Sequence, residues 1–180
     1  MIVLCFPLAV ENPYPVRTAI GAPLPYEHVM LVRTGVGAMS AVSLRHALQT
    51  NTSTPSLIVE YGGAGVSDPS LQGTLFEATP LISPHPSEQP VSLKKRTNLP
   101  SLPLRTLDTP YEAGRNISNA SPRLFTLETW HLFTVASQEE IPFLSLRIAT
   151  DSGEPDARQR FTQVLQQHRK QITTVLKMLI

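Results

Sequence analysis

Two acids stand where carboxylates are costly unless they have a task. The run from Phe125 through Val135 reads as a helix that is apolar nearly all round, at Phe125, Leu127, Trp130, Leu132, Phe133 and Val135, and such helices are normally buried. Glu128 lies on the face of that helix shared by Leu132 and Val135. A buried carboxylate is expensive without a partner or a job. Downstream, Ile141–Ala149 is almost continuously apolar, as an inner strand of a sheet should be. Asp151 follows two residues later, at the end where strands of open α/β sheets present residues to a ligand crevice. The spacing predicts that Glu128 and Asp151 converge on one site.

The elements that must position them follow from the pattern of the chain. Ile2–Phe6 is a short apolar strand that ends in Pro7-Leu8-Ala9-Val10-Glu11. Pro13 and Pro15 forbid an immediate helix, so Asn12–Pro25, with Arg17 in it, reads as a loop. His28–Arg33 is a second strand, and Thr34-Gly35-Val36-Gly37 opens a helix over Ala38–Leu48 with apolar residues at 41, 44 and 48. Ser56–Tyr61 is a third strand running into the turn Gly62-Gly63-Ala64-Gly65, and Ser67-Asp68-Pro69-Ser70 is a further turn signal. Gly73–Thr79 and Leu102–Leu107 read as the fourth and fifth strands. Between and beyond them, residues 80–110 carry seven prolines, the mark of a long irregular segment. After Asp151, Ser152 is placed to cap a helix with Pro155 in its first turn. An apolar stripe from Ala157 to Leu179 gives that helix a face for the sheet. The expected architecture is α/β: a three-layer αβα sandwich with a central mixed β-sheet. No internal repeat or second domain is visible, so residues 1–180 are read as one domain.

Composition narrows the partners. Lys and Arg number 15 against 14 Asp and Glu, so no basic block points to nucleic acid and no acidic tail points to disorder. The lone cysteine, Cys5, sits in an apolar run and reads as core packing. No apolar run approaches the roughly 18–20 residues of a membrane span, and Met1–Pro7 is too short for a signal peptide and lacks a basic start. A cytoplasmic protein without membrane or nucleic-acid partners is expected. The five histidines are scattered, so neither a metal site nor a cofactor is expected.

At Thr34-Gly35-Val36-Gly37, at Pro55 to Leu71, and from Glu128 through Ile141-Pro142-Phe143 to Thr150-Asp151, the chain resembles the purine nucleoside phosphorylase/nucleosidase superfamily. Within it, the likeness is to 5′-methylthioadenosine/S-adenosylhomocysteine nucleosidase and futalosine hydrolase. The resemblance implies a homodimeric hydrolase that acts on a small nucleoside and releases the free base. It implies that Asp151 protonates or hydrogen-bonds the purine, that Glu128 binds the ribose hydroxyls, and that Glu11 activates the attacking water. Leu8 falls in the same loop as Glu11. Leu127 replaces a methionine that packs under the sugar, an acceptable apolar exchange. Gly63 stands where relatives often carry Ser or Thr beside the sugar or base. With a shortened 80–105 region, Gly63 argues for a roomier site. That would suit a bulky 5′ aryl group, as in aminodeoxyfutalosine of menaquinone synthesis, better than methylthio alone.

The chemistry wants these groups. Cleaving an N-ribosidic bond builds positive charge on the sugar and negative charge on the base. An acid that holds its proton near neutral pH removes the second problem, and a second carboxylate can take a proton from water, by analogy with inverting glycoside hydrolysis. Plainer readings stand beside these. Asp151 could cap the last helix, Glu128 could pair structurally with Arg147, Glu11 could be an ordinary loop acid, and the glycines could be tight strand exits. His131 reads as packing, and Asp108 as a structural or site-edge acid. A phosphate-dependent phosphorylase and an inactive nucleoside-binding homologue remain as alternatives. Glu11 in place of a phosphate clamp favours water over phosphate.

Overall fold

The computed structural model describes residues 1–12, 28–108, 123–154 and 156–179. The predicted loop beyond Asn12, with Arg17, lies outside the described residues, as do Pro110, Tyr111 and Pro155. Among the described residues, seven strands form one mixed sheet: β1 (Ile2–Phe6), β2 (Val29–Arg33), β3 (Leu57–Val66), β4 (Leu75–Ile82), β5 (Ser101–Thr106), β6 (Leu124–Thr126) and β7 (Phe143–Asp151). The helices are α1 (Met39–Thr50), α2 (Thr129–Gln138) and α3 (Ala157–Leu179).

The longest strand, β3, organises the sheet. One of its edges pairs in parallel with β7 from Ile58 onward. Its other edge pairs in parallel with β1 from Leu57 to Glu60, then antiparallel with β6 at Gly65 and Val66. The remaining pairings are β1 with β2, in parallel at the sheet's edge, and β6–β5, β5–β4 and β4–β7, so that five of the strands close on themselves. Because β1 stops at Phe6 and β6 joins only at Gly65, a crevice opens along the upper part of β3.

Strand alternation builds two cores. Val3, Cys5, Ile58, Ala64, Phe143 and Ala149 pack with Leu44 of α1 and with Leu132 and Val135 of α2. Leu4, Phe6, Val59, Tyr61, Leu144, Leu146 and Ile148 pack with Leu165 and Leu176 of α3. The three-layer expectation therefore holds, with α1 and α2 on one face and α3 on the other.

Several local readings change. Phe125 does not begin a helix. It lies in β6, and α2 starts only at Thr129, because Leu124–Thr126 is taken up by pairing with β3 and β5. The Gly62–Gly65 turn is strand, continuous with Leu57–Tyr61. Its small residues let neighbouring groups approach the backbone. Ser152 is not a helix cap: its N–H and its hydroxyl donate to the Glu154 carboxylate at 2.7 and 2.6 Å, and α3 begins five residues later. The proline-rich stretch is held by the buried Glu77, whose carboxylate accepts from the N–H groups of Arg96 and Thr97 at 2.7 and 2.8 Å and from the Thr97 hydroxyl. Prolines cannot donate to a ladder, and a buried carboxylate supplies the missing anchor.

Candidate active site

Glu11, Leu8, Gly63, Leu127, Glu128 and Asp151, the six residues singled out in the sequence, all line one cavity of about 450 Å³. That volume is in the range of small-molecule sites. The cavity lies in the crevice beside β3, at the carboxyl ends of β1, β3 and β7, where open α/β sheets bind ligands.

Glu11 enters from the single helical turn Ala9–Glu11 that follows β1. Its side chain is 3 % exposed. One oxygen accepts from the Leu8 N–H at 2.7 Å and the other from the Gly63 N–H at 2.8 Å. This is an acid fixed in place, not a mobile loop acid. Burial, with the charge of Glu128 adding to it, pushes its carboxyl up to about 8, against the pull of the two amides and of Arg147.

Glu128 sits at the N-cap of α2, not inside the helix as its spacing suggested. The helix N-terminus is served instead by the Thr106 hydroxyl of β5, which accepts from the Trp130 N–H at 2.9 Å. The Glu128 carboxylate is thus free to turn toward Arg147, whose Nη1 lies 3.1 Å away. Burial pushes Glu128 up to about 7, the charge of Glu60 pushes the same way, and Arg147 opposes both. The pairing of Glu128 with Arg147 is therefore real, and it stands at the wall of the cavity rather than apart from it.

Arg147 entered the sequence reading only as a structural partner of Glu128, and Glu60 did not enter it at all; neither lines the cavity itself, but Arg147 touches Glu128, which does. Both are fully buried and form an ion pair. Their signal was present as two opposite charges in otherwise apolar strands. Alternation puts Glu60 of β3 and Ser145 and Arg147 of β7 on the same face, with Glu60 opposite Ser145 and Gly62 opposite Arg147 in the register. Burial disfavours the Arg147 charge, but Glu60, Glu128 and Glu11 together outweigh it and keep the guanidinium ionised.

Two glycines are required by this packing. A Cβ on Gly62 would lie 2.5 Å from Glu11 Oε1 and 2.7 Å from Arg147 Nη1. Gly62→Ala is expected to push these groups apart and to lower stability by about 1–3 kcal/mol, as overpacking does; a denaturant titration reads it. A Cβ on Gly63 would lie 2.3 Å from the Phe161 ring and 2.9 Å from Thr150 Cγ2. The space beside Gly63 that the sequence left open is therefore occupied by Phe161 of α3.

Asp151, at the end of β7, is partly exposed. Its Oδ1 accepts from the Gly153 N–H at 3.1 Å, and its Oδ2 lies 2.8 Å from Thr150 Oγ1. The helix-cap reading fails for it, because α3 starts at Ala157. The Thr150 hydroxyl also lies 3.1 Å from the Ala64 carbonyl. His131 is not among the residues lining the cavity. No group of His, Cys, Asp and Glu among the described residues is placed to hold a metal ion.

No family model matches the chain, and no curated protein matches it by sequence. Solved structures do match in fold. A variant of the Chlamydia trachomatis MTAN bound to MTA is 16 % identical with a TM-score of 0.74, over 99 % of this chain and 98 % of that one. The same protein bound to adenine is 17 % identical with a TM-score of 0.70, over the same shares. The Helicobacter pylori 5′-methylthioadenosine/S-adenosylhomocysteine nucleosidase, with butyl-thio-DADMe-Immucillin-A, is 12 % identical with a TM-score of 0.74, over 98 % of this chain and 97 % of that one. The chain therefore has the fold of these nucleosidases over nearly its whole length.

Proposed function

We propose that this protein, acting as one nucleosidase-like domain over residues 1–180, hydrolyses the N-ribosidic bond of a 5′-modified adenosine and releases adenine. The observation that carries the reading is the convergence of Glu11, Glu128 and Asp151 on one cavity in a fold whose solved examples bind MTA or adenine. In the reaction, water attacks the anomeric carbon of the ribose and gives a proton to Glu11. The C–N bond breaks with its electron pair moving to the base, and Asp151 delivers a proton to the base nitrogen. Glu128 accepts hydrogen bonds from the ribose hydroxyls, and Leu127 and Leu8 supply apolar wall. The carboxylates also stabilise the positive charge that builds on the sugar.

Water is favoured over phosphate on electrostatic grounds. Arg147 is held by Glu60, Glu128 and the Gly63 carbonyl, and Glu11 and Glu128 would repel an anion. With Phe161 over Gly63, methylthioadenosine and S-adenosylhomocysteine come first among the substrates, and aminodeoxyfutalosine and futalosine second. We place the enzyme in the cytoplasm as a homodimer. The exposed Val36, Met39 and Val42 support the dimer, since they form an apolar surface that begins at the cavity rim with Val36.

The test is adenine release in phosphate-free buffer from methylthioadenosine, S-adenosylhomocysteine and aminodeoxyfutalosine side by side. Release from any of them supports hydrolysis, and the ranking identifies the 5′ group. Activity that appears only with phosphate would make the protein a phosphorylase; binding without release under either condition would make it an inactive nucleoside-binding homologue. Glu128→Gln is expected to raise KM roughly ten- to hundredfold, the worth of a hydrogen bond to a charged group. Unchanged nucleoside affinity in that variant would leave Glu128 a structural partner of Arg147.

A further inference from the structure

Among the buried carboxylates, Glu60 stands beside the site yet has no part in the reaction derived above. Glu60 is fully buried on β3, opposite Ser145 of β7 and Cys5 of β1. Its Oε1 forms the ion pair with Arg147 Nη2 and accepts from the Thr129 hydroxyl at 3.2 Å, while its Oε2 accepts from the Ser145 hydroxyl at 2.9 Å. Both hydroxyls in turn accept from Arg147: Ser145 from Nε at 3.2 Å and Thr129 from Nη2 at 2.8 Å. The Nε/Nη2 edge of the guanidinium is thereby occupied. Only Nη1 faces the site, 3.1 Å from Glu128 Oε1 and 3.3 Å from the Gly63 carbonyl. Nη1 and Glu11 Oε1 also approach one common point, 2.7 and 2.5 Å from where a Gly62 Cβ would stand.

We propose that Glu60 is a positioning residue for the site: by holding one edge of the Arg147 guanidinium it reserves only the other edge for Glu11 and Glu128, and so sets how many protons that pair carries. This inference rests on the hydrolase reading for its consequence, not for its geometry. Three carboxylates share one guanidinium. With Glu60 ionised and paired, too little positive charge is left to keep both Glu11 and Glu128 ionised, so near neutrality the pair retains a proton and Glu11 is a stronger base once ionised. With Glu60 neutralised, the full charge of Arg147 would fall on the pair, which would then ionise at lower pH. The ionisable groups facing this cluster are Cys5 from β1, Glu11 from the turn after β1, Glu128 at the start of α2, Arg147 from β7, and Asp151 on the same cavity. Burial, with Glu60 adding to it, pushes the Cys5 thiol up, so it contributes no charge.

The test is a carboxyl carbon NMR titration of the full chain labelled at glutamate, comparing wild type with Glu60→Gln. The apparent midpoints of the Glu11–Glu128 pair are expected to fall by about one pH unit, and the acidic limb of adenine release to move with them. Ser145→Ala leaves every charge in place and removes the hydroxyl that bonds both Glu60 and Arg147. It is expected to move the midpoints the same way by less, and it decides the matter if Glu60→Gln does not fold. Unmoved midpoints in a folded variant overturn the inference and leave Glu60 as a core ion pair only. Shifted midpoints in a protein that neither binds nucleoside nor releases adenine would uphold the role of Glu60 and overturn the hydrolase reading.

Discussion

Asp151→Asn is expected to cut adenine release by a factor of about 10²–10⁴, the usual contribution of a positioned general acid, with nucleoside binding kept. The amide has nearly the same shape as the carboxyl. Its oxygen can still accept from the Gly153 N–H, and its NH₂ can donate to Thr150 Oγ1, so the contacts that hold the turn survive. What is lost is a proton that can leave with the base. The measurement is single-turnover base release alongside calorimetric binding of the same nucleoside. A fall in the rate of the chemical step at constant Kd assigns the proton to Asp151. Normal turnover would make Asp151 a turn acid that orders Gly153, which its geometry also permits.

Glu11→Gln should be equally severe for turnover and should also change how stability depends on pH. The Glu11 carboxyl is raised from its ordinary value of 4.5 to about 8, first by burial and then by Glu128. An acid raised on folding binds its proton more tightly in the native state. Its contribution to stability is therefore full below pH 4.5 and is lost as pH rises toward 8. Across that window wild type should lose stability on the order of a few kcal/mol from this group, and Glu11→Gln should lose none of it. Gln can accept from only one of the Leu8 and Gly63 N–H groups, so its absolute stability at low pH should be lower; the discriminating quantity is the slope. Denaturant midpoints at several pH values read it, and parallel slopes would show that Glu11 titrates normally in the folded protein. For catalysis the sign is opposite: the base form of Glu11 is scarce at neutral pH, so kcat/KM in wild type should climb through pH 7–8. A flat profile there would exclude Glu11 as the base.

Much of this fold is legible from one-dimensional patterns because it depends on local periodicity. Ile2–Phe6 and Ile141–Ala149 are apolar because both faces of a central strand are covered by helices, and the stripe on α3 follows from its packing on one of those faces. The six candidate site residues were singled out by the family resemblance as much as by pattern: Leu8 and Glu11 follow β1 and Asp151 closes β7, as the strand pattern placed them, whereas Gly63 lies within β3 and Leu127 and Glu128 lie between β6 and α2, where a turn and a helix interior were expected. Where the reading of local structure went astray, a non-local partner had decided it. Leu124–Thr126 is β6 and not the first turn of a helix because β3 and β5 offer ladders on either side. Gly62–Gly65 is strand and not turn because β7 pairs along it.

The electrostatics of the site belong wholly to the tertiary structure. Glu60 and Arg147 are 87 positions apart in the sequence, and their strand alternation places them on one face only once β3 and β7 are known to pair in that register. The space above Gly63 is empty in any reading of the chain alone, yet Phe161, carried on α3, fills it. The sequence by itself determined the apolar strands, the stripe on the last helix and the carboxylates that follow β1 and close β7, because composition and period are local properties. Only the tertiary structure decided which charges share a partner and where the cavity is closed, because burial and Coulomb coupling depend on distances across strands that sequence separation does not encode.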